Sequence, residues 1–220
     1  MIHAATHTGH HSRDRLIHWA RVYDLGNGLL GRRGKRLRTM LADDLELRLG
    51  DRVLDVGCGP GRLARVFAER VAPTGSVDGI DAAAEMINRA SRQARKRGVP
   101  GTFQVAFAQD LPFPDATFDA VACTLALHHV AENDQRTAVE EMYRVLKAGG
   151  RLLIAEFHKG PGRRRVGPRW LRHSGEDMLD KALGLVQRSG FTDVATGGTS
   201  LGWLGKITAH KPETSIKAQN

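Results

Sequence analysis

Residues 53–61, with the sequence VLDVGCGPG, constrain the fold of this chain more than any other stretch. The first residues are mostly apolar and predict a short buried strand. Glycines at positions 57, 59 and 61 then predict a tight turn, because glycine accepts positive φ at little steric cost. Apolar residues at helical spacing follow directly and predict a helix. A strand, a glycine turn and a helix in this order predict a nucleotide-binding α/β unit.

The spacing of the turn distinguishes between cofactor classes. Dinucleotide enzymes carry Gly-x-Gly-x-x-Gly, whereas the third glycine here comes one residue earlier, and Asp55 stands just before the turn. This pattern resembles motif I of the class I S-adenosylmethionine (SAM) methyltransferases, whose form is hydrophobic-x-Asp-x-Gly-x-Gly-x-Gly. The resemblance implies SAM as cofactor and S-adenosylhomocysteine as product. It also implies a set of cofactor-binding residues in the turn: Asp55, Gly57, Cys58, Gly59 and Gly61.

A second acidic residue, Asp81, ends the predicted second strand, residues 75–81. A carboxylate at this place can accept hydrogen bonds from both ribose hydroxyls, as an acidic residue does in the dinucleotide fold. The alternative is that Asp81 is a plain helix N-cap, and the two roles are compatible. Ala82 and Met86, on the helix that follows, are candidates to pack against the adenine.

Residues 110–119, DLPFPDATFD, resemble the family's Leu-Pro-Phe-x-Asp-x-Ser/Thr-Phe-Asp stretch. The family usually has Asp-Ala four residues before that Leu, and the Asp takes the adenine amino group. This chain has Phe107 and Ala108 there instead. Two explanations stay open. Either Phe107 is a core residue and the Ala108 N–H still reaches adenine, or Gln109 or Asp110 supplies the missing acceptor.

The predicted fourth strand, residues 118–124, ends at Thr124, a further candidate cofactor-binding residue. The residues after this strand carry the acceptor chemistry in the family. Enzymes that methylate base amines or glutamine typically have Asn/Asp-Pro-Pro-Tyr here, so the sequence CTLALHH argues against those substrates. His128 and His129 are candidate catalytic bases, because imidazole titrates near neutrality. The alternative is a structural histidine that hydrogen-bonds the end of the sheet.

The N-terminal region supplies a third catalytic candidate. Tyr23 and Asp24 resemble a Tyr-Asp pair found in the ubiquinone/menaquinone C-methyltransferase (methyltransferase type 11) group, where it lies in a helix over the active site. We therefore expect a helical lid over residues 13–50, including a helix at roughly 35–49 capped by Gly50. Tyr23 then faces the methyl group or the acceptor, or else packs its ring in an apolar stripe with its hydroxyl in water.

The predicted fold is α/β, a Rossmann-like, seven-stranded, mostly parallel sheet with helices on both faces and an N-terminal helical lid. Residues 13–210 form a single domain between a disordered tail, 1–12, and a polar tail, 211–220. Residues 158–175 are an insertion on the acceptor side. The remaining expected elements are strands at 102–107 and 151–157, helices at 134–146 and 176–189, and a closing antiparallel pair at 191–196 and 203–209.

Composition limits the partners. The 220 residues carry a net charge of +9, with a pI of about 10.1, which raises an anionic membrane or nucleic acid as a partner. A solvated basic face is the plainer alternative. No run of about 18 apolar residues occurs, so no membrane span is expected. The polar, His-rich N-terminus does not resemble a signal peptide, and two cysteines predicted to be buried indicate a reducing cytoplasm.

The expected function is transfer of the SAM methyl group to a small-molecule acceptor, at carbon or oxygen, by in-line displacement, with no metal. One alternative is a phospholipid or membrane-surface methyltransferase that makes peripheral contact through its basic clusters. Another is a SAM-fold protein that binds ligand or RNA without methyl transfer. Nucleic acid is not the favoured partner, and a monomer or a homodimer is expected.

Overall fold

The computed structural model describes residues 31–158 and 177–213. Within them the chain forms a seven-stranded sheet of order β3-β2-β1-β4-β5-β7-β6. β7 is antiparallel to both of its neighbours, and the other strands run parallel. The prediction of a Rossmann-like, mostly parallel seven-stranded sheet is therefore confirmed. The strands are β1 (Arg52–Val56), β2 (Ser76–Asp81), β3 (Phe103–Val105), β4 (Phe118–Thr124), β5 (Leu146–Phe157), β6 (Thr192–Gly198) and β7 (Leu204–His210).

Helices cover both faces of the sheet. Because successive side chains of a strand point to opposite faces, neighbouring residues of one strand pack in two different cores. Val53 of β1 packs in the core under the helices before β3, whereas its neighbour Leu54 packs in the core under the later helices. The first group comprises α1, described over residues 31–44, α2 (Arg62–Val71) and α3 (Ala84–Arg97). The second group comprises α4 (Gln135–Val145) and α5 (Met178–Arg188).

The predicted helix at 35–49 is wrong at its C-terminal end, because α1 stops at residue 44. A tertiary contact accounts for this: the Arg151 guanidinium donates to the Glu46 carbonyl at 2.8 Å, and Glu46 itself has a positive φ of 48°. Gly50 is not the helix cap. It donates to the Val71 carbonyl at 2.9 Å instead. Leu49, outside the helix, is 73% exposed.

The predicted helical lid corresponds only in part to described residues. Residues 31–44 carry the buried side chains Leu37, Leu41 and Ala42, which pack against α2 and the sheet. This part is a core helix on the face of the sheet. Residues 13–30 lie outside the described residues.

Other boundaries differ modestly from the predictions. β3 is shorter than 102–107, and β5 begins at Leu146 rather than at 151. Lys211, the first residue of the predicted polar tail, is anchored in the fold. Its Nζ donates to the Leu146 carbonyl at 2.7 Å and to the Tyr143 carbonyl at 2.8 Å. Among residues 31–158 and 177–213, no helix has the length and apolar character needed to cross a membrane.

Candidate active site

The candidate site lies at the carboxyl ends of the central parallel strands. β1 and β4 are neighbours in the sheet, but the chain leaves β1 toward β2 on one side and leaves β4 toward β5 on the other. Such a switch point opens a crevice above the strand ends, where doubly wound folds bind their ligands. The turn after β1 and the loop after β4 therefore face each other across this crevice.

The glycine turn is held tightly between these elements. The Cys58 N–H donates to the Ile80 carbonyl of β2 at 2.8 Å. Gly57 has a φ of 70°, and a Cβ on it would lie 2.2 Å from the Cβ of Ala126 in the loop after β4. Gly61, also left-handed, is the N-cap of α2. Both glycines are required by this geometry, so the turn presents backbone rather than side chains to the crevice.

Asp81 ends β2 as predicted and reaches back to the glycine turn. Its Oδ2 accepts the Gly59 N–H at 2.9 Å, and its Oδ1 accepts the Ala83 N–H at 2.8 Å. Burial raises the pKa of this carboxyl, and the two backbone donors oppose that rise. A carboxylate has about four acceptor positions, so Asp81 keeps capacity for two hydroxyl donors. It also steadies the start of α3, although Ala83 is the N-cap residue.

Two buried polar atoms at the crevice have no partner among the described residues: Asp55 Oδ2 and Thr124 Oγ1. Burial, and then the nearby charge of Asp81, raise the pKa of Asp55 to about 7. A buried carboxyl oxygen without a donor is costly. The orphan oxygens, the glycine turn and Asp81 together fit a ligand that carries hydroxyls and positive charge, as SAM does.

The histidine after β4 forms a buried pair with a residue that the sequence analysis missed. His128 Nδ1 lies 2.9 Å from Glu156 Oε2, and the His128 N–H donates to Glu156 Oε1 at 3.3 Å. Glu156 is 0% exposed and the His128 side chain is 15% exposed. A carboxylate at Nδ1 makes that nitrogen the donor, which leaves Nε2 as the lone-pair acceptor of the neutral ring. This arrangement fixes the orientation of the His128 ring.

A sequence signal for Glu156 did exist. It is the single acid in the apolar run LLIAEF of β5, and a buried carboxylate requires a hydrogen-bonding partner. The sequence could not identify that partner, because His128 lies 28 residues away in the chain.

The neighbouring His129 has a different environment. Burial, and then the proximity of His128, lower its pKa to about 4. The ring of His129 is therefore neutral at physiological pH, and its centroid lies 4.0 Å from that of His128. Of the two predicted bases, His128 has the orienting carboxylate.

Several of the predicted cofactor-binding residues have side chains that are wholly or partly buried. The Cys58 side chain packs with Ile87 and Ala90 of α3, and burial raises its thiol pKa. Met86 is buried in the same helix, and its packing against adenine stays a prediction. Ala82, Ala108 and Gln109 are half-buried, and Asp110 is exposed.

The explanation that Phe107 is a core residue is wrong, since the ring is 56% exposed. β3 ends at Val105, two residues before it, and the Asp110 N–H donates to the Phe107 carbonyl at 3.1 Å. The turn directs this part of the chain away from the core. The explanation that Gln109 or Asp110 supplies the acceptor stays a prediction.

The loop after Asp110 is held by α4, which the sequence also did not indicate. Arg144 donates to the carbonyls of Leu111 and Phe113 at 3.0 and 2.8 Å. Glu141 accepts the Leu111 N–H at 2.9 Å and pairs with Arg144. The loop beside the crevice is thus fixed through charge-assisted hydrogen bonds.

One group among the described residues could hold a metal ion, although no metal site was predicted. His158, Asp177 and Asp180 bring ligand atoms within 4.8 Å of one another. Asp177 is also the N-cap of α5, accepting the Leu179 N–H at 3.0 Å, and lies 3.0 Å from His158 Nδ1. These contacts explain the group without an ion. Tyr23, and the predicted insertion after His158, lie outside the described residues.

Comparison with known proteins agrees with this geometry. Residues 53–150 match the family model described as a methyltransferase domain. The matched region begins at β1 and ends within β5, so it includes the glycine turn, Asp81 and His128. Over these residues the chain resembles a class I SAM-dependent methyltransferase domain, as the sequence predicted.

Among methyltransferases, the chain is similar in sequence to one group in particular. The chain is 41% identical over 143 residues to the ubiquinone/menaquinone biosynthesis C-methyltransferase UbiE of Pseudomonas aeruginosa. The match covers 64% of this chain and 55% of that protein, so the chain spans about half the length of the curated relatives it matches. The predicted resemblance to this group is confirmed for the methyltransferase domain.

Solved structures share the fold. A SAM-dependent methyltransferase from Aquifex aeolicus superposes with a TM-score of 0.66 at 24% identity, covering 79% of this chain and 88% of that chain. The [4+2]-cyclase SpnF superposes with a TM-score of 0.70 at 24% identity, covering 82% of each chain. Such likenesses describe the fold alone, since one fold carries different reactions.

Proposed function

We propose that this chain transfers the methyl group of SAM to the carbon or oxygen of a small phenol- or quinol-type acceptor. The observation that carries the proposal is the pair of His128 with the buried Glu156. His128 lies two residues after Ala126, which packs against Gly57 of the glycine turn. A hydroxylated ring becomes a strong nucleophile, at oxygen and at ring carbon, when its O–H proton is removed. His128 Nε2 is the atom that takes this proton.

The protein's own residues divide the remaining work. When bound, SAM supplies an electrophilic methyl group on a sulfonium. Asp81 and the glycine turn would hold and orient the cofactor, and the buried carboxyl of Asp55 directly precedes the turn. Much of the barrier reduction in a displacement comes from positioning, with effective molarities worth about 7–11 kcal/mol. A tightly held turn suits this role.

Glu156 stabilises the imidazolium that forms when His128 accepts the proton, because the two groups then become an ion pair in a buried site. In C-methylation, the proton on the methylated ring carbon is then released to solvent, which restores the aromatic ring as an oxyanion, and that oxyanion takes back the proton held by His128. In O-methylation, no second proton transfer is needed. The same pair therefore serves either outcome.

The acceptor class is supported by the relatives, whose name places them in ubiquinone and menaquinone biosynthesis, and by the sequence CTLALHH after β4, which lacks the Asn/Asp-Pro-Pro-Tyr motif. A reducing cytoplasm is the proposed location, supported by two buried free cysteines.

The test has a cofactor stage and a transfer stage. In thermal melts with SAM, S-adenosylhomocysteine, NAD and NADP, only the SAM pair should raise the melting temperature, and Asp81→Ala should weaken that rise. At 100 times its Kd a ligand adds about 2.7 kcal/mol, or several degrees for a chain of this size. The enzyme is then incubated with methyl-labelled SAM and a panel of quinols and phenols, and mass spectrometry detects the product.

His128→Gln should lower kcat about 10²–10⁴-fold, the usual contribution of a general base. Glu156→Gln should lower kcat less, with the KM for SAM unchanged, because it keeps a hydrogen-bond acceptor for His128 Nδ1 but loses the charge. His210→Gln is the matched control, since His210 pairs with Arg151 in the middle of β5, five residues before Glu156. A melt shift with SAM but no product from any acceptor would refute methyl transfer and favour a SAM-fold protein that only binds.

A further inference from the structure

A groove with unusually concentrated positive charge lies between α2 and α3, on the outer side of the glycine turn. Its volume is about 520 Å³. Among the described residues that line it, none is acidic. The lining comprises Pro60, Gln93 and six cationic side chains, namely Arg62, Arg65, Arg89, Arg92, Lys96 and Arg97.

The close approach of the two helices creates the groove. A Cβ on Gly61, at the start of α2, would lie 3.2 Å from the Cβ of Ala90 in α3. Small residues at this contact bring Arg65 near Arg97, and burial and the charges of Arg97 and Arg62 lower the pKa of Arg65. The cations therefore repel one another, and a multivalent anion in the groove would relieve that repulsion.

The carboxylates on these two helices are few. Glu85 pairs with Arg89 at 2.6 Å, and Glu69 lies near Arg65. These two acids compare with eight Arg and Lys residues along α2 and α3. Arginine forks match phosphate oxygens in pairs of hydrogen bonds, so phosphate is the favoured anion for such a lining.

The charge continues beyond the groove over one face of the molecule. The helices α1, α2 and α3, which we call the basic face, together carry thirteen Arg or Lys and four Asp or Glu. On the opposite face, α4 and α5 carry four basic and three acidic residues. Within residues 31–158 and 177–213 the helical charge is thus concentrated on one broad face, which suits a flat anionic surface better than a small soluble anion.

Exposed apolar side chains lie beside this face. Phe103 of β3 packs against α3, and Val105, two residues on in the strand, shares its side of the sheet. Val105 is exposed, as is Phe107 just beyond the strand. Exposed apolar residues next to basic ones are typical of proteins that bind at a membrane surface. Since no described groove residue is aromatic, the groove offers no surface for stacking bases.

We propose that the basic face docks on a membrane surface of anionic phospholipid, with headgroup phosphates held in the α2–α3 groove. This inference rests in part on the proposed function, because a lipophilic quinol-type acceptor dissolves in the bilayer. Docking on this face keeps the carboxyl edge of the sheet, where Val105 pairs with Asp81, close to the membrane. An acceptor could then pass from the bilayer to the site without crossing water.

The experiment measures binding of the full chain to vesicles by co-sedimentation. One set is pure phosphatidylcholine. The other contains roughly 30% phosphatidylglycerol, which gives the vesicles a negative surface charge close to the physiological one. The wild type should bind the anionic set alone and release it as salt rises. Each basic residue near such a surface contributes about five-fold in affinity, so the double variant Arg92→Gln with Lys96→Gln should bind roughly 25-fold more weakly.

The matched control is Arg136→Gln with Arg188→Gln, which removes the same charge from α4 and α5. An equal loss in both double variants would overturn the role of the groove, because only net charge would matter. Free glycerol phosphate and a 20-nucleotide RNA provide two further arms. Binding of glycerol phosphate without vesicle binding would overturn the membrane proposal in favour of a soluble phosphate ligand. Groove-dependent RNA binding without vesicle binding would also overturn the membrane proposal.

Vesicle binding needs neither SAM nor turnover, so its outcome is separate from that of the proposed function. The double variant Arg92→Gln with Lys96→Gln should keep the rise in melting temperature that SAM causes and the activity toward a water-soluble phenol. Loss of methyl transfer with intact vesicle binding would count against the proposed function alone.

Discussion

The buried carboxyl of Asp55 should contribute stability that is lost as pH rises. Burial and the charge of Asp81 raise its pKa from 3.8 to about 7 in the folded chain. Between about pH 4 and pH 7 the folded state therefore holds a proton that the unfolded state has released. Stability decreases through this window, since the folded state binds more protons than the unfolded state. Asp55→Asn removes the titration and keeps the shape.

The magnitude follows from the size of the shift. Each pH unit within the window costs about 1.36 kcal/mol, so between pH 5 and pH 8 the wild type should lose about 2–3 kcal/mol relative to Asp55→Asn. For a chain of this length, 1 kcal/mol corresponds to roughly 2–4 °C. The melting temperatures of the two proteins should therefore diverge by about 4–12 °C, with the variant favoured at high pH.

The assay is a series of thermal melts of both proteins, without ligand, from pH 5 to pH 8. Comparing the two at each pH cancels every other titrating group and the fixed cost of the amide. A difference that stays constant across the range would refute the reasoning, because it would mean that Asp55 is already ionised in the folded protein at pH 5.

Three further outcomes are expected. Gly57→Ala should prevent folding or lower the melting temperature by many degrees, because the added Cβ would lie 2.2 Å from the Cβ of Ala126. Gly98 is equally left-handed but has open space around it, so the control Gly98→Ala should lower the free energy of unfolding by only about 1–2 kcal/mol. Equal losses in the two variants would contradict the clash. Phe107→Asp should leave the melting temperature without ligand unchanged and should tighten SAM binding about ten-fold, as one added charge-assisted hydrogen bond implies. Calorimetry measures the affinity, and an unchanged or weaker affinity would mean that the Phe107 ring itself contributes to SAM binding. The contribution of His129 has the opposite sign to that of Asp55: as pH falls from about 6.5 to 4, the wild type should lose stability relative to His129→Gln, because the folded state resists protonation of this ring. The same pH dependence in both proteins would refute this.

Local patterns in the sequence predicted the centre of the site well. β4 has the predicted bounds, Phe118–Thr124, because apolar runs bounded by turn residues define buried strands. The glycine turn and Asp81 also lie where they were predicted, since short-range steric requirements dictate both. The identity of the cofactor class followed from the spacing of residues that are adjacent in the chain.

Contacts between distant residues decided the rest. The pairing of His128 with Glu156 depends on β4 and β5 lying side by side, and the end of α1 depends on Arg151, 105 residues after Glu46. The basic groove exists because Gly61 lets α2 approach α3. The sequence by itself determined the strand-turn-helix unit, because the unit follows from local backbone preferences, and the resemblance of its glycine spacing to a family motif implied the cofactor. Only the tertiary structure brought His128 to Glu156 and gathered the charged face, because burial and proximity between distant residues depend on how the chain packs.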